Sequence, residues 1–512
     1  MNKLKSLLTT HYLLLSIIVI IAAFLRLYNI TELPPGLYPD EAMNGNNALE
    51  SLSTGDWKIF YPENNGREGL FINIQALSIA LFGNFPWALR AVSAIFGILT
   101  VLGVYFLAKE IFNKNIALLS AFLLATSFWH INFSRIGFRA IMAPFFLTWG
   151  IYFLLLALRQ IKEQKSPKFY ILNSIFSGVF YGLGFHSYIA YRATPALILI
   201  IIALYWFQNK DPETEQVHYG ASWQIRKKIL LVASGYTLVA IIVFTPLGIY
   251  FIQNPQDFMG RTTQVSVFSS PTPLKDLTTN IIKTAGMFNF SGDYNWRHNY
   301  AGKPLLFWSV GILFLIGTVI SIRRLFSKDF FAPIFIFSWL VIAALPVVIS
   351  NEGLPHALRA IIMIPPIFIL AGFGGIWLIE KIKNLTTINN SKIKLKIFYF
   401  LLFTFCFLLL INAYNTYFIK WGKNPNIQGA FAADYVQMGR ELNALPKETP
   451  KYVIVEAGGT NVRGIPMPTQ TIMFITDTFT PEKQKGKNIF YILPNQISQI
   501  LNNKDIYTTI IK

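Results

Sequence analysis

The stretch "HYLLLSIIVIIAAFLRLYNI" (residues 11–30) runs straight into "TELPPGLYPDEAMNGNNALE" (residues 31–50). The first part is long enough to cross a hydrocarbon core, which takes roughly 20 apolar residues. The second sets two adjacent acids, Asp40 and Glu41, beside that span in a chain with 25 acids against 44 Lys and Arg. Residues 11–30 resemble a signal peptide, but no A-x-A cleavage site follows and further apolar runs do, so an uncleaved first span is expected. The composition agrees. Of 512 residues, 53% are hydrophobic and 13% charged, with mean hydropathy +0.45. A soluble domain carries about 25% charged residues, so the chain reads as an all-α polytopic membrane protein. Its one cysteine, Cys406, lies in an apolar run and rules out an intramolecular disulfide or a Cys-based zinc site.

Eleven spans are expected, at about 11–30, 86–108, 116–133, 138–158, 170–187, 192–208, 229–251, 304–322, 331–350, 360–380 and 397–414. Every second loop then collects the basic residues: Lys3 and Lys5; Lys109 and Lys114; Arg159, Lys162, Lys165 and Lys168; Lys210, Arg226, Lys227 and Lys228; Arg323, Arg324 and Lys328; and Lys381 to Lys396. By the positive-inside rule that side is cytoplasmic. Topology thus accounts for much of the +19 charge, and no nucleic-acid partner is expected. The expectation is a multi-pass cell (plasma) membrane protein with a cytoplasmic N-terminus. Residues 1–414 form the membrane domain, with functional outer loops at 31–85 and 252–303. Residues 415–512 form a small extracytoplasmic α/β domain. There "GAFAADYVQMGRELNAL" sets Phe431, Tyr435, Met438 and Leu442 on one helical face, and "KYVIVEAGG", "TIMFIT", "NIFYIL" and "DIYTTII" read as strands.

The outer segments gather acids and bases on one side of the membrane, where ionisable groups at span ends are functional candidates. Asp40, Glu41 and Glu68 are candidate bases. Arg67, Arg135, Arg139, His186, Tyr188, Arg192, Asp293, Arg297, His298, His356 and Arg359 are candidate binding residues. Arginine suits an anion such as phosphate, because its planar fork donates paired hydrogen bonds. The run from Leu70 to Phe82 is too short to span and fits a helix in the interface, holding Arg67 and Glu68 at headgroup level. Plainer readings stand beside these: an ion pair between Arg67 and Glu68, snorkelling of Arg135 and Arg139, and ordered polar turns around His186 and Asp293. Arg135 and Arg139, four apart, are expected on one helical face.

"PDEA" after a first span, "NNGREGLFINIQALSIALFG", "ALRAVSAIFGILTVLGVYFLAKEIF", "LLATSFWHINFSRIGFRAIMAPFF", "RHNYAGKPLLFWSVGILFLIG" and "HALRAIIMIPPIFILAGFG" together resemble the GT-C integral membrane glycosyltransferases of family 39. These are the protein O-mannosyltransferase and aminoarabinose-transferase type. The resemblance covers roughly residues 10–415. It implies a polyprenyl-phosphate sugar as donor and Asp40 as the base that deprotonates an acceptor hydroxyl. Glu41 fills the second place of the acidic pair. Glu68 falls where relatives carry another acid, and Arg135, Arg139, His356 and Arg359 fall in regions that contact the lipid phosphate. A single displacement with inversion follows chemically. The acceptor is a protein, a lipid or a glycan. No cofactor is required; a divalent metal is compatible, although the first loop has no Asp-x-Asp to hold one. The rival reading is a transporter or flippase of lipid-linked glycans, whose key ionisable residues belong near the bilayer midplane.

Overall fold

The computed structural model describes residues 2–208, 219–259, 266–327, 330–387, 392–499 and 506–511. Lys210, Lys328 and residues 260–265 of the second outer loop lie outside the described residues. The first span is α1 (Asn2–Leu27). The first segment expected outside is two helices, α2 (Pro39–Thr54) and α3 (Gly69–Phe82), joined through an antiparallel hairpin of β1 (Phe60–Tyr61) and β2 (Arg67–Glu68). The bundle continues through α4 (Pro86–Ile111), α5 (Lys114–Ala125), α6 (Phe128–Phe133), α7 (Met142–Lys162), α8 (Pro167–Gly184), α9 (Pro195–Gln208) and α10 (Tyr219–Gln253). The second segment expected outside holds α11 (Pro255–Met259) and α12 (Pro273–Gly286). Four more bundle helices follow: α13 (Trp308–Arg324), α14 (Phe331–Val348), α15 (Ile364–Thr387) and α16 (Lys392–Tyr414).

Every expected span falls on helix. Among the described residues eight helices are long and apolar enough to cross a membrane. The other three spans fall short for local reasons. The span expected at 116–133 is broken between α5 and α6. Arg26 donates to the carbonyls of Ala125 (3.1 Å) and Leu124 (3.5 Å) at that break, so the interrupted backbone keeps its partners. The helix α13 has 17 residues, and α8 carries Lys168 and Asn173 within its 18. Small residues bring helix backbones together, as membrane bundles require in the absence of a hydrophobic drive between helices. A Cβ on Gly317 would lie 2.0 Å from the Leu370 carbonyl, and one on Gly374 2.1 Å from the Leu313 carbonyl, so α13 and α15 meet backbone to backbone.

The bundle has two unlike ends. At one, Arg159 pairs with Glu110 (2.5 Å), Lys162 lies over Tyr205, Arg226 over Trp206 and Arg324 over Phe373. The opposite end carries α2, the hairpin and α3. Exposed Leu77, Leu81 and Phe82 on α3, and Leu274, Ile281 and Ile282 on α12, give each of these outer helices an apolar side.

After α16 the helix widens into a π-helical segment over Asn415–Trp421. Tyr417, Trp421, Ile427 and Phe431 still pack into the bundle core. Beyond α17 (Asn426–Ala430) and α18 (Ala433–Ala444), a second core forms around a parallel sheet. Its strands are β3 (Lys451–Val455), β6 (Ile489–Ile492) and β7 (Tyr507–Ile511), in the order β6-β3-β7; β4 (Asn461–Val462) and β5 (Ile465–Pro466) form a separate short hairpin. Two helices, α19 (Gln470–Thr476) and α20 (Pro481–Lys487), complete the region. The expected helical face loses Phe431, which precedes α18, and keeps Tyr435, Met438 and Leu442. "TIMFIT" is a helix, α19, not a strand. A six-residue apolar run has no decisive period, and here it is buried between α2 and α18. A Cβ on Gly45 of α2 would lie 2.4 Å from the Phe474 ring, so glycine there admits α19. Asn46 donates to the side-chain oxygen of Gln470 at 2.9 Å, and Thr471 donates to the Leu37 carbonyl at 2.8 Å.

Candidate active site

Asp40 and Glu41 sit on the first turn of α2, not in a loop. Pro39 is the first helical residue and Asp40 and Glu41 follow, where carboxylates complement the helix's positive end. Neighbouring helical positions point about 100° apart, so the pair diverges. Glu41 turns inward. Its Oε2 accepts from Arg90 Nε (3.0 Å) and from the Gly137 amide (2.7 Å), and its Oε1 accepts from Arg90 Nη2 (3.2 Å). Both side chains are buried, with 0% of Glu41 and 1% of Arg90 exposed. Asp40 is half-buried and accepts from Asn64 Nδ2 at 2.7 Å. Among the described residues it makes no ion pair, although Arg67 is close enough to feel its charge.

Arg67 and Glu68 are consecutive in a strand and face apart, so they do not pair with each other. Arg67 donates to Asn44 (2.8 Å) and Asn47 (2.6 Å) of α2. Burial, with Arg139 nearby, lowers its guanidinium to about 10, against the opposing pull of Asp40 and Glu63. Glu68 is buried and receives two arginines from separate helices: Arg139 Nε at 2.8 Å and Arg192 Nη2 at 3.4 Å. The Tyr188 ring lies 5.9 Å from Arg139. Burial raises the Tyr188 phenol, and the charges of Arg359 and Arg139 oppose it.

A second cluster lies between the 293–299 loop and the turn before α15. Asp293 accepts from His298 Nδ1 (3.1 Å) and from the amides of Asn295 and Ala357 (both 2.8 Å); His356 Nδ1 lies 3.9 Å away. Burial alone would raise the Asp293 carboxyl, but the His298 hydrogen bond and the nearby imidazoles hold it below its usual value. Burial, reinforced by His298 and Arg359, lowers His356 to about 3 and keeps it neutral. Among the described residues, Asp293, His298 and His356 are those whose ligand atoms group closely enough to hold a metal. Arg297 joins this cluster to α2, its guanidinium 3.7 Å from the centre of the Tyr38 ring. Tyr38 in turn feels both Asp40 and Arg297. Arg359 pairs with Glu352 (2.8 Å) and bonds Ser350.

The structure therefore gathers Asp40, Arg67, Glu68, Arg139, Tyr188, Arg192, Asp293, Arg297, His298, His356 and Arg359 into one connected polar region. It does not bring Arg135 there. The helix ends at Phe133, so Arg135 and Arg139 share no helical face. Arg135 donates instead to the carbonyls of Leu33 (2.7 Å) and Asn29 (3.1 Å) and lies over Tyr417 and Phe418. His186 bonds the Val243 carbonyl at 3.0 Å and braces α8 against α10. Sequence reasoning passed over Tyr38, Asn44, Asn47, Asn64 and Arg90. The Asn-rich run inside "AMNGNNALE" was the available signal, since a helix rich in asparagine needs partners for it.

This arrangement, a helical bundle with acids and arginines gathered at one end, has the fold of solved GT-C membrane glycosyltransferases. Residues 70–250 match the family model described as dolichyl-phosphate-mannose-protein mannosyltransferase. The chain superposes on ArnT from Cupriavidus metallidurans, solved bound to undecaprenyl phosphate, with TM-score 0.56 and 13% identity over 98% of this chain and 92% of that one. It also superposes on the oligosaccharyltransferase AglB from Archaeoglobus fulgidus, solved with an inhibitory peptide and a dolichol-phosphate. That match has TM-score 0.55 and 15% identity over 95% of this chain and 64% of that one. A protein of Bacillus subtilis (strain 168), described as "Putative mannosyltransferase YkcB", is 24% identical over 241 residues, 45% of this chain. The match spans 29% of that relative's length.

Proposed function

We propose that the protein is a membrane glycosyltransferase that moves a sugar from a polyprenyl-phosphate donor to an acceptor hydroxyl on the extracytoplasmic side. The observation that carries this reading is Asp40: a half-exposed carboxylate that makes no ion pair among the described residues, on the rim of a region otherwise filled by paired charges. Glu41, Glu68 and Asp293 are each engaged by strong donors. Asp40 accepts one hydrogen bond from an amide and keeps lone pairs for a proton. In the proposed step the acceptor oxygen attacks the anomeric carbon while Asp40 Oδ takes its proton. The bond from that carbon to the phosphate oxygen breaks with inversion, and the leaving phosphate keeps the electron pair. Arg139, Arg192 and Arg359 supply the positive charge that receives it, each pre-set by a carboxylate partner. Glu41 and Glu68 position the site, Glu41 by fixing the first turn of α2 and Glu68 by aiming two arginines. Family resemblance and the polyprenyl phosphates bound in the ArnT and AglB structures support the donor class. The basic end of the bundle supports a cytoplasmic N-terminus and an outer site, with residues 415–512 as an extracytoplasmic domain.

Membranes carrying Asp40→Asn, given labelled polyprenyl-phosphate sugar, are expected to insert and retain protein normally but to transfer no label. Turnover near the unsubstituted rate removes Asp40 as the base. Label crossing the bilayer without reaching an acceptor favours the flippase reading instead.

A further inference from the structure

We propose that Asp293, His298 and His356 form a binding site for a zinc-class divalent transition ion that ties two outer segments together. Asp293 and His298 come from one loop and His356 from the turn before α15, and their ligand atoms lie within 4.8 Å of one another. His298 Nδ1 is 3.1 Å and His356 Nδ1 3.9 Å from the same oxygen, Asp293 Oδ2. A tetrahedral ion with ligands at about 2.0–2.1 Å separates its ligand atoms by roughly 3.3 Å, between these two values. The imidazoles are stacked at 4.9 Å with 27° between their planes, and both present Nδ1 to the carboxylate.

One atom demands explanation. His356 Nδ1 is buried and has no hydrogen-bond partner. At 3.9 Å from Asp293 it is beyond hydrogen-bond reach, and a buried polar atom left without a partner is destabilising. An ion between the three atoms supplies the missing partner. The surroundings are set for one. The amides of Ala357 and Asn295 fix the Asp293 carboxylate, as outer partners fix the ligands of a metal. The nearby arginines are committed elsewhere, Arg297 over Tyr38 and Arg359 to Glu352. Two imidazoles and a carboxylate favour zinc and its transition-metal neighbours over magnesium, which prefers oxygen. On binding, His298 turns the Nδ1 lone pair to the ion and carries its proton on Nε2. The ion would hold the loop bearing Arg297 against the turn bearing Arg359. The proposal does not depend on glycosyl transfer.

The test uses the full-length protein in detergent. Metal content is measured after purification without chelator. EDTA-treated protein is then titrated with Co2+ for visible ligand-field absorption and with Zn2+ or Mg2+ for a thermal shift. The expected result is one tightly held transition ion per chain, Co2+ bands, and a rise in melting temperature with Zn2+ but not Mg2+. His298→Ala and His356→Ala should each lose the Co2+ bands. Two results overturn the proposal: wild-type protein without retained metal or Co2+ bands, which leaves a metal-free hydrogen-bonded hub, or bands that survive in both variants. The wild-type titration decides the question even if a variant misfolds.

Discussion

Replacing Glu41 by alanine separates the two members of the acidic pair. Glu41 and Arg90 are an ion pair fully removed from water, and truncating one partner of such a pair costs about 3–5 kcal/mol because the other charge is stranded. Arg90 keeps two carbonyl acceptors, Pro34 (2.6 Å) and Gly36 (2.8 Å), which pulls the estimate toward the low end. The Gly137 amide loses its acceptor as well, and a bare buried donor costs about 1–3 kcal/mol. These penalties overlap, so the loss is about 3–5 kcal/mol, a hundredfold or more in the folding equilibrium. Thermal unfolding in detergent, followed by tryptophan fluorescence, should show a large fall for Glu41→Ala and little change for Asp40→Asn. Pairing Glu41→Leu with Arg90→Met should restore part of the loss, since apolar replacement of both partners removes the stranded charge. The reasoning is refuted if Glu41→Ala melts within about 1 kcal/mol of wild type, or if the double substitution is no better than Glu41→Ala.

Glu68→Gln releases Arg139 and Arg192 from their shared carboxylate, so it is expected to raise the donor KM while leaving expression unchanged; an unaltered KM and kcat would separate Glu68 from the site. Arg463 grips Glu50 through two bonds of 2.8 Å and Glu63 at 2.7 Å, holding the C-terminal region against α2. Burial pulls the Glu63 carboxyl up, but hydrogen bonds from Arg463 and Asn47 outweigh it and depress the folded value below 4.5. The stabilisation from that depressed pKa is therefore complete at neutral pH and is lost as pH falls below 4.5 through the folded value. Arg463→Ala should increase hydrogen exchange in α19 at pH 7, and the contrast with wild type should shrink below pH 4; equal exchange at pH 7 would refute the coupling. Gly374→Leu forces side-chain atoms into the Leu313 carbonyl and should abolish recovery of folded protein in size-exclusion chromatography, whereas Gly429→Ala, with open space around it, should be neutral.

Much of the architecture was legible because the bilayer imposes it. Spans follow from apolar length, so each of the eleven expected segments falls mainly on helix, and among the described residues eight helices are long and apolar enough to cross a membrane. The failures share a cause. The break between α5 and α6, the helix in "TIMFIT" and the departure of Arg135 from Arg139 each meet a distant partner: Arg26, α2 and the segment after α1. Local periodicity carries no information about such partners. The candidate site divides the same way. Asp40, Glu68, Arg139 and Arg192 could be picked out as ionisable groups at span ends. Asn64, Arg90 and Tyr38 could not, since nothing in the linear order shows that they meet the first turn of α2.

The sequence by itself determined that the chain is a membrane bundle with acids and arginines collected at one end, because transfer free energy and charge placement are properties of residues taken in order. Only the tertiary structure decided which carboxylate is which. Asp40 and Glu41 are adjacent and chemically alike, yet about 100° of helical rotation turns one onto Arg90 in the interior and leaves the other half-open beside Asn64. That difference lies in what surrounds each oxygen, which the fold alone supplies.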